Sequence, residues 1–316
     1  AAVRATLTLP LTGPGGEPVD LRRTLRSHGV ASLWPLRVSD DHTTLTATLA
    51  PRRGRPRVVE VSTGGDGAAT VRIRGRAPAP SVVADLLAAL RHVLRLDEDL
   101  SEFYALVADD PDLAWAASGA GRMVRAPTVF EDVVKTICTT NCAWSATERM
   151  VSALVAHLGA PAPGAPPDGP AGRAFPTPRA MAAAEEAFYT DVVRAGYRGR
   201  YLRELARAVD SGEVDLEALA APGRDDEEVE AALLALPGVG PYAAAHVMMM
   251  LGRYSRLILD SWTRPTYARL VGRDHVSDAE ILDRFAPYGR WAGLAFWLRL
   301  TRGWVDDLAA PGTAAP

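Results

Sequence analysis

The stretch Leu236-Pro237-Gly238-Val239-Gly240-Pro241-Tyr242 separates two runs of helical periodicity, and its two glycines define the join. Upstream, Val229, Ala232, Leu233 and Leu236 recur three and four apart behind the acidic run Asp225 to Glu228, which suits a helix N-terminus. Downstream, Pro241 suits the first position of a new helix, and Ala244, Val247, Met248 and Leu251 supply its buried face. Without side chains, Gly238 and Gly240 let the backbone turn tightly, and they let its N–H groups approach a phosphate at a helix N-terminus. The prediction is helix, hairpin, helix. An ordinary helix–helix turn would use the same residue types.

Asp260 follows eighteen residues after Tyr242, between the apolar run Leu257 to Leu259 and the amphipathic segment Ser261 to Leu270. A carboxylate at that place is a natural N-cap for a helix starting there.

The 316 residues can hold two domains or one large one. Hydrophobic residues are 48% and charged residues 23%, as in ordinary globular chains. No apolar run reaches membrane-spanning length and no signal peptide pattern is present, so the expected compartment is the cytoplasm. Because the first residue is Ala1, a few preceding residues or a tag are expected to be missing. The net charge of −3 excludes a generally basic DNA coat but not a local basic face. Of 35 lysines and arginines only Lys135 is a lysine. Cys138 and Cys142 have no Cys or His set to complete a zinc or iron–sulfur site, and they read as free thiols.

Residues 1 to 80 alternate like strands at Thr6–Leu9, Thr44–Leu49, Val58–Val61 and Thr70–Arg74, with Gly and Pro clusters between them and a short helix expected within Asp20–Ser27. This part carries 12 arginines against 6 acidic residues. From Ser81 the period becomes helical, at Ser81–Leu96, Leu100–Val107, Thr128–Thr140, Ser145–Leu158 and Thr177–Glu186. After a Pro- and Gly-rich linker or mobile loop at 160–176, helices are expected at Thr190–Ala195, Gly199–Ser211, the hairpin pair, Ser261–Leu270, Ser277–Phe285 and Gly289–Leu300. The tail 306–316 is expected to be disordered. The fold class is therefore α+β: an antiparallel sheet domain (1–80) followed by a mainly helical, two-lobed core (81–305).

With Asp260 at this distance, the hairpin resembles that of the helix-hairpin-helix DNA glycosylases. The segments Thr136-Ile137-Cys138-Thr139-Thr140-Asn141 and Gly196-Tyr197-Arg198-Gly199-Arg200-Tyr201 resemble the eukaryotic 8-oxoguanine DNA glycosylase branch. Phe175-Pro176-Thr177-Pro178 is similar instead to the bacterial 3-methyladenine glycosylase branch. The resemblance covers residues 80 to 305, and both branches carry an N-terminal sheet domain. It implies cleavage of the bond between a damaged base and deoxyribose after the nucleotide turns out of the duplex. It also implies that Asp260 is the catalytic carboxylate, stabilising positive charge on the sugar.

By the same resemblance, lyase members carry a nucleophilic lysine where this chain has Tyr242, which implies a monofunctional enzyme using water. Lys135 is expected to be a solvated stem. Gly238, Val239, Gly240 and Pro241 would grip the DNA backbone. Asn141 would fill the gap left by the flipped base, with Tyr197 as wedge and Arg198 contacting an opposite cytosine. A second cytosine-reading arginine corresponds to Ala146, which weakens that preference. Gly293 and Trp297 match the family's base-reading glutamine and stacking phenylalanine, so the stacker is retained and the hydrogen-bonding reader is lost. Backbone carbonyls of Leu234, Leu236 and Val239 would hold a sodium or potassium ion; no zinc or iron–sulfur cofactor is expected.

Tyr242, His246, Met250, Trp262, Gly293 and Trp297 are the candidate base pocket, and its aromatic walls would stack on a base and favour cationic alkylated purines. His246 fits a pocket wall or a satisfied core histidine equally, and Trp144 fits a buried anchor or a second wedge. Five arginines in 194–207 and five in 253–273 predict phosphate contacts. The sequence therefore predicts a monomeric base-excision glycosylase acting on double-stranded DNA with a damaged purine, either alkylated or 8-oxoguanine-like. If the enzyme is bacterial, it would be nucleoid-associated. The alternative is a non-catalytic helix-hairpin-helix DNA-binding module, against which Asp260 and the stacking aromatics argue. An iron–sulfur glycosylase fails on cysteine count.

Overall fold

The computed structural model describes residues 3–305, and the expected tail 306–316 lies outside them. Five antiparallel strands, β1 (Val3–Pro10), β2 (Leu36–Val38), β3 (Thr44–Leu49), β4 (Arg57–Thr63) and β5 (Ala68–Arg74), form one sheet in the order β1-β5-β4-β3-β2. Alternation decides which face is buried: Leu45, Ala47, Val59, Val61, Val71 and Ile73 are shielded from solvent. Three-residue β2 is too short to show a period in the sequence. Helix α1 (Leu21–Leu25) starts where Asp20 accepts the Arg23 N–H at 3.0 Å.

Helix α2 (Pro80–Val93) packs Leu86, Leu90 and Val93 into the same core as the sheet. The sheet is thus no separate unit ending at residue 80, because its core is closed by the first long helix. Next come α3 (Ser101–Leu106), α4 (Val129–Thr139), α5 (Trp144–Leu158), α6 (Pro178–Ala183), α7 (Arg198–Asp210) and α8 (Asp226–Leu234). They are followed by α9 (Pro241–Met250), α10 (Thr263–Leu270), α11 (Asp278–Phe285) and α12 (Ala292–Thr301). Thr128, Asp225 and Ser277 cap α4, α8 and α11 through their side chains, and Ser277 forms a capping box with Glu280. The segment expected as a helix at 190–195 is a wider π-turn, Phe188–Val193. The loop 160–176 closes on itself through a bridge between Pro161 and Arg173, whose guanidinium holds the Gly159 and Pro167 carbonyls at 3.2 and 3.1 Å.

The helices divide between two cores. Buried residues of α4, α5, α7 and α8 make one lobe, and those of α3, α10, α11 and α12 make the other. Helix α9 belongs to both. Ala243, Ala244, Val247 and Met248 face the first core, and Ala245, Met249 and Met250 face the second. A helix buried on every side needs no polar face, which accounts for its run of alanines and methionines. Its C-terminus is held by Arg95, 1% exposed, whose guanidinium donates to the Met250 carbonyl and to Met123 O at 2.9 Å. Among the described residues no helix is long and apolar enough to cross a membrane.

Candidate active site

The hairpin joins α8 to the N-terminus of α9, and its two glycines have different reasons for being there. Gly238 has φ +76°, and a Cβ on it would lie 2.9 Å from the Tyr201 ring. Gly240 has φ −100° and nothing within 4 Å of where a Cβ would stand. The fold therefore requires Gly238, whereas Gly240 leaves bare backbone facing open space.

That space is a cleft of about 620 Å³ between the lobes. Asn141, Tyr197, Gly238, Gly240, Pro241, Tyr242 and Asp260 all line it, gathering residues from both lobes. Asn141 stands at φ +47° on the turn after α4, and its side chain donates to the Tyr197 hydroxyl at 3.3 Å. Tyr197 is 54% exposed. Val239 buries its side chain in the first core and offers only backbone to the turn. Arg198 does not line the cleft. Its buried guanidinium donates to the carbonyls of Thr140 and Asn141 and lies over the Tyr197 ring at 4.5 Å, so it braces the turn rather than reaching outward.

Asp260 is locked into the start of the turn leading to α10. Its Oδ1 accepts the N–H groups of Trp262 at 2.8 Å and Thr263 at 2.7 Å, and its own N–H donates to the Thr263 hydroxyl at 2.8 Å. Asp260 thus closes the turn ahead of α10, whose own N-cap position is Trp262. All of these bonds use Oδ1 or the backbone.

Behind Asp260 lies a second cavity of about 240 Å³. Tyr242 and Asp260 stand on the boundary, lining both spaces. Trp262, Trp297 and Trp304 form a cluster with centroid separations of 5.6 to 5.9 Å, and the Trp297 indole N–H is fixed to the Ser27 carbonyl at 2.7 Å. Trp144, half-buried, also lines this inner cavity. His246 lines it too, and burial lowers its pKa to about 4, so the ring is neutral. Burial also raises the Tyr242 hydroxyl above the usual phenol range.

Known structures share this architecture. The apo-form of the 8-oxoguanine glycosylase/lyase of Clostridium acetobutylicum is similar with a TM-score of 0.70 and 18% identity, over 94% of this chain and 96% of that one. The same protein in complex with double-stranded DNA containing cytosine opposite 8-oxoG gives 0.69 and 19%, over 93% and 94%. The 3-methyladenine DNA glycosylase of Archaeoglobus fulgidus gives 0.67 and 20%, over 95% and 99%. The fold is a DNA glycosylase fold. No family model matches the chain, and no curated protein matches it by sequence.

Within this glycosylase fold several expected residues sit elsewhere. Met250, a turn beyond His246, is 1% exposed and fills the second core instead of lining a cavity. Gly293 also lies off both cavities: its N–H donates to Tyr254 O at 2.6 Å, and a Cβ would stand 2.2 Å from Arg256 O. Glycine there permits a close helix–loop contact. Lys135 is no solvated stem. It is 1% exposed, and its ammonium donates to Glu131 at 2.6 Å and to Leu33 O at 3.2 Å, away from both cavities. The expected phosphate-binding arginines of 253–273 are largely engaged within the chain. Arg253 pairs with Asp226, Arg256 with Glu230, Arg264 with Asp278 and Arg273 with Glu280.

Sequence reading missed His28 and Trp304, which also line the inner cavity. Neither sits in a motif. His28 comes from the turn ahead of Gly29–Ser32, far from the hairpin in sequence.

Proposed function

We propose that the protein is a monofunctional DNA glycosylase that hydrolyses the bond between a damaged purine and its deoxyribose, with Asp260 as the catalytic carboxylate. One observation carries this: Asp260 stands on the boundary between a cleft floored by bare hairpin backbone and an inner cavity walled by tryptophans.

A DNA strand lying in the outer cleft would meet the backbone N–H groups at the N-terminus of α9, where the helix dipole favours phosphate. Asn141 and Tyr197, on the opposite lip, would enter the gap left in the duplex. The extruded base would pass Tyr242 and stack among Trp262, Trp297 and Trp304. Its sugar then lies beside Asp260. As the base departs, positive charge develops on the sugar, and a carboxylate already held by two N–H groups needs little reorganisation to stabilise it. Oδ1 is occupied by those groups, which leaves Oδ2 to face the sugar and direct a water.

Strand cleavage through a Schiff base needs an amine nucleophile. The hairpin position carries Tyr242, a neutral phenol, and the single lysine is ion-paired with Glu131. Hydrolysis is the chemistry these residues support. Flat aromatic walls suit either an alkylated or an 8-oxoguanine-like purine, and a cationic alkylated base gains further from cation–π attraction. The Leu234, Leu236 and Val239 carbonyls lie where α8 ends, a polarity that fits a monovalent cation, although the Leu236 oxygen already accepts the Val239 N–H at 3.3 Å. Such an ion would add positive charge beneath the DNA backbone.

The test is incubation with duplexes carrying single 8-oxoguanine, 3-methyladenine, 7-methylguanine, hypoxanthine or uracil, with base release assayed before and after alkali. Release revealed as strand breaks only after alkali is expected. DNA binding without release of any base would favour the non-catalytic module.

A further inference from the structure

The inner cavity has a polar corner that its tryptophan walls do not explain. One side is His246 of α9, 6% exposed, whose Nε2 has no hydrogen-bond partner among the described residues. The other is His28, 5% exposed, contributed by the sheet domain. The two rings meet edge to face at 5.8 Å.

The tautomer of His28 follows from its one bond. Its Nε2 lies 2.6 Å from the Val124 carbonyl, which can only accept, so Nε2 carries a proton. Burial, helped by His246, Arg95 and Lys135, lowers the ring's pKa to about 3, so it holds no second proton near neutral pH. Nδ1 is therefore a bare lone pair, and it too has no partner among the described residues. Groups of this kind are expensive to bury unpaired, and each calls for a partner, either a bound water or a ligand.

We infer that His28 and His246 read the flipped base by hydrogen bonds, with His28 Nδ1 accepting an N–H from the base edge. This rests on the glycosylase reading and deepens it. Gly293, expected at a base-reading position, lies off both cavities, and His28 from the sheet side lines the inner one instead. The favoured bases are those with an N–H donor on the buried edge, such as an exocyclic amine or a ring N–H. A base whose edge nitrogens are capped, such as 1,N6-ethenoadenine, presents lone pairs or C–H to His28 and is disfavoured. His246, whose tautomer no bond fixes, can complement either a donor or an acceptor beside it.

The test compares the wild type with His28→Gln and His28→Asn. The glutamine amide can still donate to Val124 but has no atom at Nδ1; the asparagine offers a polar atom near Nδ1 but cannot reach Val124. Base release is measured on 3-methyladenine, 8-oxoguanine and 1,N6-ethenoadenine duplexes, with affinity for a tetrahydrofuran abasic duplex as control. For whichever donor-bearing base the wild type releases, His28→Gln should lower kcat/KM by about tenfold to a hundredfold. Abasic-site affinity should change less than about twofold and ethenoadenine release should not fall, since neither draws on the lone pair. A second measurement needs no variant: in protein labelled with 15N-histidine, the His28 Nδ1 resonance should shift when free 3-methyladenine is added. Wild-type release that both variants leave unchanged, or an unmoved resonance at saturating base, overturns the histidine reading alone. If the wild type releases no base at all, the glycosylase reading falls and takes this inference with it.

Discussion

Asp260 and Thr263 hold each other. The Asp260 carboxylate accepts the Thr263 N–H at 2.7 Å, while the Thr263 hydroxyl accepts the Asp260 N–H at 2.8 Å. The carboxylate is thus fixed by N–H groups and, among the described residues, by no ion pair, a state that suits the proposed role beside a positively charged sugar.

Asp260→Asn keeps an oxygen for both N–H groups, so the fold should survive with stability changed by less than about 1 kcal/mol. Base release should fall by about a hundredfold or more, because the charge is gone while the dipole remains. Abasic-duplex affinity should stay near that of the wild type. Thermal denaturation, gel-shift titration and single-turnover release measure the three quantities, and full activity in Asp260→Asn would end this mechanism.

Borohydride added during reaction with a damaged duplex should trap no covalent adduct with the wild type. A trapped band on denaturing gels would mean that some amine does reach the sugar and that the hydrolytic assignment is wrong.

Gly238→Ala and Gly240→Ala should separate folding from binding. Alanine at 238 must adopt φ +76° and press on Tyr201, at a cost of about 1 kcal/mol or more in denaturant unfolding. Alanine at 240 meets nothing among the described residues, so stability should hold while DNA affinity drops. Equal affinity in Gly240→Ala would remove the hairpin from the DNA interface.

Lys135→Met strands the buried Glu131 carboxylate, whose pKa burial already raises. A loss of about 3–5 kcal/mol is expected, and the double variant Lys135→Met/Glu131→Leu should recover much of it. Urea denaturation of both proteins decides this, since the stranding account requires recovery.

His246 has a folded pKa of about 4 against its ordinary 6.5. The unfolded chain therefore takes up the proton first as pH falls, so the stability contributed by the neutral ring is complete above about pH 6.5 and is lost on acidification towards pH 4. His246→Phe should lack this loss. The melting temperature of the variant relative to wild type should rise from pH 7 to pH 5, by the equivalent of about 2 kcal/mol at most. A constant difference across that range would mean the buried ring is not neutral.

Much of this arrangement was legible in the sequence because it is local. The strand alternation of Thr44–Leu49, the acidic cap at Asp225 and the two glycines each leave a pattern within a few residues. Asp260, Asn141, Tyr197 and Tyr242 come from distant segments, yet each lies in a motif with a recognisable place, and the fold gathers them around one cleft. His28 has no such neighbours, since only the docking of the sheet domain on α9 brings it to the cavity. Lys135 and the arginines of 253–273 failed for the converse reason. Charge counts along the chain cannot reveal partners such as Glu131, Asp226 or Glu230, which the fold supplies.

Because α9 is shared by both cores, neither lobe can melt without exposing the other's interior. The lobes should unfold in a single cooperative transition, with no half-folded form in which one lobe persists beside an opened cavity. A destabilising change anywhere in either lobe would then lower the number of working molecules rather than weaken each one. Partial damage to this protein should look like scarcity.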